Sequence, residues 1–317
     1  MGDFIDLARQ KSTKLLIGIG GGSAMDTAKT IAALVTNPGD VIDYLEVIGQ
    51  NKPLNTPALP IVAIPTTAGT GSEVTRNAVI GSLAHHVKVS LRSPYLLPRV
   101  ALIDPELTLT VPPDVTAFTG LDALTQLIEP FTCNTPNPLT DALCREGILH
   151  IARSFTRAYD VGSNLQARED MSLASFFSGL ALANAKLGAV HGLAGSIGGE
   201  ISAHHGVICA RLLPEVMEAN VNALNMRAAC HPALVKYGEI GKLLTGNLEA
   251  TVEHAIQWVR DISVHMKIPP LSAFGLSEAQ FPKIIENALK ASSMKGNPIT
   301  LSETELRNIL QRSLESW

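Results

Sequence analysis

A switch in hydrophobic pattern at Pro112-Pro113 constrains the fold of this chain more than any other feature of its sequence. Before about residue 110, short β-rich runs at 14–19, 61–65, 87–91 and 100–104 alternate with helical stretches, the clearest at 25–35. Beyond the prolines, apolar residues recur every three or four positions without strand signals, in segments such as 114–131, 137–159, 166–187, 207–228, 248–266 and 278–292. The sequence therefore predicts an α/β unit with a parallel sheet, followed by an all-helical unit.

The two prolines also mark the predicted domain boundary. Adjacent prolines break a helix or a strand, and Asp114 directly after them is predicted to be the N-cap of the next helix. We expect an α/β domain at residues 1–111 and an all-helical domain at 112–317, about the usual size for two domains. Aromatic residues make up only 4% while glycine occurs 25 times, which indicates helices packed closely through small side chains.

Charge and composition exclude several classes of function. The chain has 25 Lys and Arg against 29 Asp and Glu, and no block of like charge, so we expect no nucleic-acid partner. Its longest apolar stretches, such as 58–64, contain proline and fall short of the ~18 residues of a membrane span. The N-terminus shows no targeting signal, and the four cysteines form no CxxC pair. A cytoplasmic protein without membrane association is the expectation.

The first chemical signal is a buried strand that runs through glycines into a helix at residues 15–29. Glycines let backbone N–H groups approach an anion, and the start of a helix favours a phosphate there. Ser23 and Asp26 also match a capping-box variant. The spacing departs from GxGxxG because Ser23 stands where the third glycine would be, so a tight turn that binds nothing is the alternative.

A second polar loop at residues 65–73 follows the next predicted strand and carries several hydroxyl side chains. Polar loops at the ends of neighbouring parallel strands are where open α/β sheets bind nucleotides. The two loops together predict a dinucleotide-binding site, and Lys88 in the run 87–91 is assigned to the same site. The predicted cofactor-binding residues are Gly20, Gly21, Gly22, Ser23, Asp26, Thr66, Thr67, Thr70 and Lys88.

The second chemical signal is typical of a metal site. If residues 119–131 are helical, Asp122, Thr125, Gln126 and Glu129 share one face, although a solvated polar face is the alternative. His191 and His205 stand fourteen residues apart among small apolar residues. One aspartate and two histidines make the three-ligand set of an open catalytic metal site.

These motifs together resemble the iron-containing (group III) alcohol dehydrogenases. The similar segments, in chain order, are GGGSAMDTAK, PTTAGTGSEVT, LIDPELTLTVPP, GLDALTQLIE, VHGLAGSIGGEISAHHG and LLPEVMEAN, and Asn297-Pro298 is similar to a family NPxxxT element. The resemblance implies the architecture shared with dehydroquinate synthase, in which an α/β dinucleotide-binding domain, here with an incomplete Rossmann-like parallel sheet, precedes an all-helical domain. It also implies a metal between them.

Residue by residue, the resemblance makes Asp122, His191 and His205 metal ligands and catalytic residues. Where most members have a fourth, histidine ligand one turn after the aspartate, this chain has Gln126, expected to be a weak ligand or to lie just outside the ligand set. Gly195 replaces another family histidine near the nicotinamide. The expected cofactors are a divalent metal, Fe²⁺ or Zn²⁺, and NAD or NADP.

The start of the chain also departs from the family, whose members carry further strands and helices before the glycine loop. The family side chain that discriminates NAD from NADP lies in that portion, and the resemblance gives no such role to Asp40, Asp43 or Glu46. A shortened sheet would leave a strand edge exposed. We therefore expect weaker binding of the adenosine half and a homodimer or higher homo-oligomer.

The expected activity is hydride transfer between a nicotinamide and a small alcohol, aldehyde or ketone at the metal, with His204 as a minor candidate for proton transfer. Two alternatives are a lyase or cyclase similar to dehydroquinate synthase, and an inactive remnant. The first would need an array of basic side chains for a phosphorylated sugar, and the sequence shows none near the metal motifs. The second is favoured by Gln126, Gly195 and the short start.

Overall fold

A computed structural model describes residues 1–82 and 87–317. The strands are β1 (Leu16–Gly20), β2 (Ile61–Pro65), β3 (Asn77–Ser82), β4 (Val87–Arg92) and β5 (Val100–Ala101). The helices are α1 (Gly2–Gln10), α2 (Gly22–Thr36), α3 (Val41–Tyr44), α4 (Pro113–Thr132), α5 (Pro138–Asp160), α6 (Leu165–Asn184), α7 (Ala189–Glu200), α8 (His205–Arg227), α9 (Pro232–Thr245), α10 (Val252–His265), α11 (Phe281–Lys290) and α12 (Glu303–Ser313). Residues 112–317, all of them described, contain no strand, so the predicted change of class is confirmed.

The first part of the chain holds a three-stranded parallel sheet in the order β1, β2, β5. Strands β1 and β2 are parallel neighbours in register from Leu16 opposite Ile61 to Gly20 opposite Pro65. The loops that follow the two strands therefore leave the sheet side by side. This confirms the parallel sheet that the sequence pattern predicts, and it is consistent with the Rossmann-like domain that the resemblance implies.

One predicted strand belongs elsewhere. The run 87–91 is a strand, but β4 pairs antiparallel with β3 in a separate two-stranded sheet and does not join the parallel one. No sequence signal marks β3, because its residues NAVIGS do not alternate between apolar and polar. The hairpin instead packs between α2 and α7, so it links the two parts of the fold.

Helix α4 lies at the centre of the helical part and packs against α5, α6 and α8. It begins at Pro113, with Pro112 at the N-cap, so the prediction of Asp114 as N-cap is wrong by two residues. Proline suits the first helical position because its missing N–H would have no partner there, and Asp114 instead places a negative charge in the first turn.

Glycines set the closest helix contacts, as the composition predicts. A Cβ on Gly120 of α4 would lie 2.2 Å from the Phe155 ring, and one on Gly147 of α5 would lie 2.6 Å from Leu127. Most buried apolar side chains of α4–α12 form one core, and a smaller core lies around α1, α2 and the hairpin. In the described part of the chain no single helix could cross a membrane; α6 and α7 together pass by length and composition but are bent by 97°.

Candidate metal centre

The polar face of α4 is buried, so the alternative of a solvated face is wrong. Asp122, Gln126 and Glu129 are each about 95% buried, at spacings of four and three residues on one side of the helix. Thr125 is buried too, but its hydroxyl donates to the Leu121 carbonyl of its own helix at 2.7 Å. Three side chains of this face therefore remain to be paired with other helices.

Glu129 fixes the position of His191. One carboxylate oxygen accepts from the Val190 backbone N–H at 2.7 Å, and the other lies 2.6 Å from His191 Nδ1. This bond holds the ring by its Nδ1 side and turns Nε2 towards Asp122, whose Oδ1 lies 3.5 Å away. A carboxylate behind a histidine is the usual support of a metal-binding imidazole, because it sets the tautomer and the ring orientation.

The start of α7 is held by a pair of buried asparagines. Asn297 Oδ1 accepts from the Ala189 N–H at 3.1 Å, and Asn297 Nδ2 donates to Asn220 Oδ1 at 2.6 Å. Gly188 leaves the space for them, since a Cβ there would lie 2.9 Å from Glu129 Oε1 and 3.0 Å from Asn297 Oδ1. Two motifs far apart in the chain thus position His191.

His205 is the first residue of α8, and its Nε2 lies 3.8 Å from Asp122 Oδ1. Gly206 allows this approach, because a Cβ at that position would lie 1.9 Å from the Phe118 carbonyl oxygen of α4. One turn further on, the buried Cys209 Sγ lies 3.6 Å from His205 Nε2. His204, the N-cap residue, is exposed and its ring packs on Phe118 at 5.3 Å between centroids.

These side chains form a set that fits a divalent metal ion. The four ligand atoms of Asp122, His191, His205 and Cys209 all lie within 4.8 Å of one another. Asp122 Oδ1 and His191 Nε2 are buried and have no hydrogen-bond partner within the described ranges. Buried polar atoms without partners are costly, and here they converge with further nitrogen and sulfur donors. Carboxylate, imidazole and thiol groups are ligands of iron and zinc.

The pKa values of the three predicted ligands are all shifted, each for an identifiable physical reason. Burial alone would raise the pKa of Asp122, but His191 and the charge of His205 lower it to about 2. Burial opposes a charge on His191, yet the Glu129 carboxylate and Asp122 raise its pKa to about 10. Burial lowers the pKa of His205 to about 4. The raised pKa of His191 keeps its imidazole protonated at neutral pH, and this proton would compete with a metal ion for Nε2.

Gln126 lies beside the ligands. Its side chain interacts with Asp122 and helps to lower the pKa of that carboxyl group. Its Oε1 lies 3.4 Å from Ser178 Oγ, and the same hydroxyl oxygen lies 3.4 Å from the Gly69 carbonyl oxygen. Gln126 therefore faces protein groups with both ends of its amide. Ser178 brings α6 into contact with the threonine-rich loop.

The two predicted nucleotide loops meet at the ends of β1 and β2. The Thr66 N–H donates to the Gly20 carbonyl at 3.0 Å, and Gly20 has a φ of 144°, which favours glycine. A Cβ on Gly21 would lie 3.3 Å from Thr67 Oγ1, and one on Gly22 would lie 2.8 Å from Thr70 Oγ1. The glycines thus permit contact between the loops, and Ser23 is exposed beside them.

Asp26 does not cap its own helix. Helix α2 begins at Gly22 with Gly21 as N-cap and no side-chain capping bond, so the predicted capping box of Ser23 and Asp26 is wrong. The Asp26 carboxylate is buried and accepts from Ser72 Oγ at 2.7 Å and from the Val79 N–H at 3.0 Å. Its bonds tie α2 to the second loop and to the hairpin.

Lys88 lies on β4 close to the metal centre. It is exposed, and its Cδ would lie 3.9 Å from a Cβ on Gly198 of α7. Its charge helps to lower the pKa of both His204 and His205, after the larger effect of burial. The hairpin therefore brings a positive charge from the α/β part to the histidines of the helical part.

Three positioning residues and one further donor were not assigned in the sequence analysis: Glu129, Asn220, Gly206 and Cys209. Glu129 could have been found, since it stands seven residues after Asp122 on the same predicted face. Gly206 and Asn220 lie inside the recognised motifs, without a local signal of what they contact. Cys209 follows His205 by one helical turn, and that spacing was the available signal.

Comparisons with known proteins agree along almost the whole chain. A family model described as "Iron-containing alcohol dehydrogenase" matches residues 2–105, and one described as "Fe-containing alcohol dehydrogenase family, C-terminal" matches residues 116–314. Alcohol dehydrogenase 4 of Saccharomyces cerevisiae is 37% identical over 312 residues, which cover 98% of this chain and 78% of the relative. 1,3-Propanediol dehydrogenase of Klebsiella pneumoniae is 37% identical over 317 residues, with 98% and 79% covered. A crystal structure of 1,3-propanediol oxidoreductase has a TM-score of 0.89 at 36% identity, with 98% and 80% covered.

Proposed function

The chain belongs to the iron-containing alcohol dehydrogenase family, and from this premise we propose that it uses NAD or NADP to interconvert a small alcohol and its aldehyde or ketone. The names of its relatives support an alcohol oxidoreductase. They give no support to the lyase or cyclase alternative. The reaction takes place at a divalent metal between the α/β and helical parts.

The observation that carries the proposal is the convergence of buried, unpaired Asp122 Oδ1 and His191 Nε2 with His205 Nε2. A remnant that had lost its activity would have no reason to keep buried polar atoms unpaired, since each one destabilises the fold. Asp122, His191 and His205 would hold the ion. When bound, a divalent ion supplies Lewis acidity towards the alcohol oxygen, and a nicotinamide accepts or provides the hydride.

The protein's own residues prepare the site. Glu129 holds the His191 ring through Nδ1, so that Nε2 stays directed at Asp122. Asp122 stays ionised at neutral pH because the hydrogen bond and the charge of His191 overcome the effect of burial on its pKa. The low pKa of His205 keeps its imidazole neutral and able to coordinate. The three side chains lie on the helices α4, α7 and α8, and a site built on helices is held more precisely than a site on loops.

Gly20 to Ser23 and Thr66 to Thr70 would bind the pyrophosphate of the nucleotide. The first turn of α2 has backbone N–H groups without intrahelical partners, and the threonine hydroxyls lie directly opposite. Ser178 links this loop region to the ligand helix, because its hydroxyl oxygen lies 3.4 Å from both Gly69 O and Gln126 Oε1. Lys88 would place its positive charge on the same side, near the nicotinamide half.

Metal analysis combined with a cofactor-reduction screen tests this proposal. Protein purified without chelator should contain about one divalent ion, iron or zinc, per chain. It should reduce NAD or NADP with at least one alcohol from a panel of small primary alcohols and diols. Asp122→Asn and His191→Ala should lose both the ion and the activity.

His265→Ala is the matched control, since His265 is an exposed histidine paired with Asp160 on another part of the helical unit. It should keep metal content and activity. Full metal content in His191→Ala would contradict the assignment of the site. A metal-loaded protein that reduces neither cofactor with any alcohol would contradict the proposed reaction.

A further inference from the structure

The thiol of Cys209 lies among the ligand atoms of the candidate metal centre. Cys209 is fully buried on α8, one turn after His205, so both side chains project from the same face of the helix. Its Sγ lies 3.6 Å from His205 Nε2 and within 4.8 Å of the ligand atoms of Asp122 and His191. No other cysteine among the described residues belongs to this group.

The distances match the edges of a metal-coordination polyhedron. For bond lengths of about 2.0–2.1 Å to nitrogen or oxygen and about 2.3 Å to sulfur, two ligands at a tetrahedral angle are about 3.4 Å apart for N and O and about 3.6 Å for N and S. Three of the six separations between the four ligand atoms are 3.5 Å from His191 to Asp122, 3.8 Å from His205 to Asp122 and 3.6 Å from Cys209 to His205, and the others are at most 4.8 Å. The Cys209 sulfur therefore lies as far from His205 Nε2 as two ligands of one ion do, and near the other two ligand atoms.

Two further observations point to a ligand at this place. Asp122 Oδ1 and His191 Nε2 are more than nine-tenths buried and unpaired within the described ranges, and they face the same space as the thiol. Gln126, which stands where most family members have a histidine ligand, is engaged with Asp122 and lies next to Ser178. The protein thus lacks an imidazole on α4 but has a donor on α8.

We infer that Cys209 is the fourth protein ligand of the metal and takes over, from α8, the role of the histidine that is replaced by Gln126 on α4. The inference rests on the proposed metal site. On binding, the S–H bond breaks, its proton leaves to solvent and the thiolate electron pair forms the bond to the ion, with no change of oxidation state. A thiolate favours zinc over harder ions.

Cobalt substitution tests the inference without relying on enzyme activity. Metal-free full-length protein is titrated with CoCl₂ under reducing, anaerobic conditions and followed by absorption spectroscopy. Bound Co²⁺ should give visible d–d bands together with an intense near-ultraviolet thiolate-to-cobalt charge-transfer band. In Cys209→Ser the charge-transfer band should be absent. Zinc affinity, measured by chelator competition, should fall by more than about 100-fold, which exceeds the loss typical for a residue that only hydrogen-bonds a metal ligand.

Cys144→Ser is the matched control, because Cys144 is equally buried but lies on α5 and outside the ligand group. It should keep the charge-transfer band and the zinc affinity. The double variant Cys209→Ser with Gln126→His should regain zinc affinity without the charge-transfer band, since it restores an imidazole one turn after Asp122.

The outcomes separate this inference from the proposed function. Cobalt bound with d–d bands but without a charge-transfer band in the unmodified protein would overturn the role of Cys209 and leave the metal site intact. A band that persists in Cys209→Ser would assign it to another cysteine and would also overturn the inference. Failure of the unmodified protein to bind cobalt or zinc at all would overturn the metal site and the inference with it. Should Cys209→Ser not fold, the spectrum of the unmodified protein still decides.

Discussion

Replacing Gly206 with alanine should open the metal centre by separating two helices. The added Cβ would lie 1.9 Å from the Phe118 carbonyl oxygen and 2.5 Å from the Phe118 carbonyl carbon. Both are backbone atoms of α4, so no flexible side chain can move aside. Ordinary van der Waals contacts of a Cβ begin near 3.4 Å, whereas this Cβ would lie 1.9 Å from the carbonyl oxygen. The difference, 3.4 − 1.9, requires α8 and α4 to separate by about 1.5 Å at this point.

The consequence for metal binding follows from the position of His205, which directly precedes Gly206 and contributes Nε2. Metal–ligand distances tolerate changes of only about 0.2 Å, so a shift several times larger removes His205 from the ligand set. We expect zinc affinity to fall by more than about 100-fold. Overpacking at this contact should also lower the free energy of unfolding of the metal-free protein by about 1–3 kcal/mol.

The assay is chelator competition for zinc affinity, with urea unfolding of the metal-free protein for stability. Gly195→Ala on α7 is the control, because a Cβ there meets no atom within 4 Å. It should leave zinc affinity unchanged and stabilise its helix by about 0.5–1 kcal/mol. Unchanged zinc affinity in folded Gly206→Ala would refute the claim that this glycine sets the ligand geometry.

Two further predictions concern protonation and the buried lysine. Metal affinity should rise between pH 5 and 8 by at least about tenfold per pH unit, because the pKa of His191 is raised to about 10 and its proton must leave before Nε2 binds a metal. Titration calorimetry at several pH values measures the affinity, and an affinity that does not change with pH would contradict the prediction. Lys29→Met should lower the free energy of unfolding by about 3–5 kcal/mol, since the ammonium group donates to Ser72 O at 2.6 Å and Asn77 O at 2.9 Å beside buried Asp26. Urea unfolding measures this change in the free energy of unfolding, and the double variant Lys29→Met with Asp26→Asn should recover part of the lost stability. A loss below about 1 kcal/mol in Lys29→Met would show that the buried Lys29 cluster contributes little to stability.

The sequence by itself determined the order and class of the two parts of the chain. Periodicity separated the strand-containing part from the helical part, and the run through Gly20 into a helix located β1 and α2. These features depend on neighbours a few residues apart, which is the range that a local pattern reports. The ligands Asp122, His191 and His205 were also reached from the sequence, with the help of the family resemblance.

Only the tertiary structure decided which polar groups meet across long stretches of chain. Glu129 contacts His191 62 residues later, and Asp26 bonds to Val79 53 residues later instead of capping its own helix. The contacts of β3 with α2 and of β4 with α7 likewise join segments that are far apart in the chain. Helical periodicity shows which side of α4 carries polar groups. Whether that side faces water or a metal depends on the helices packed against it, and local sequence does not encode their positions.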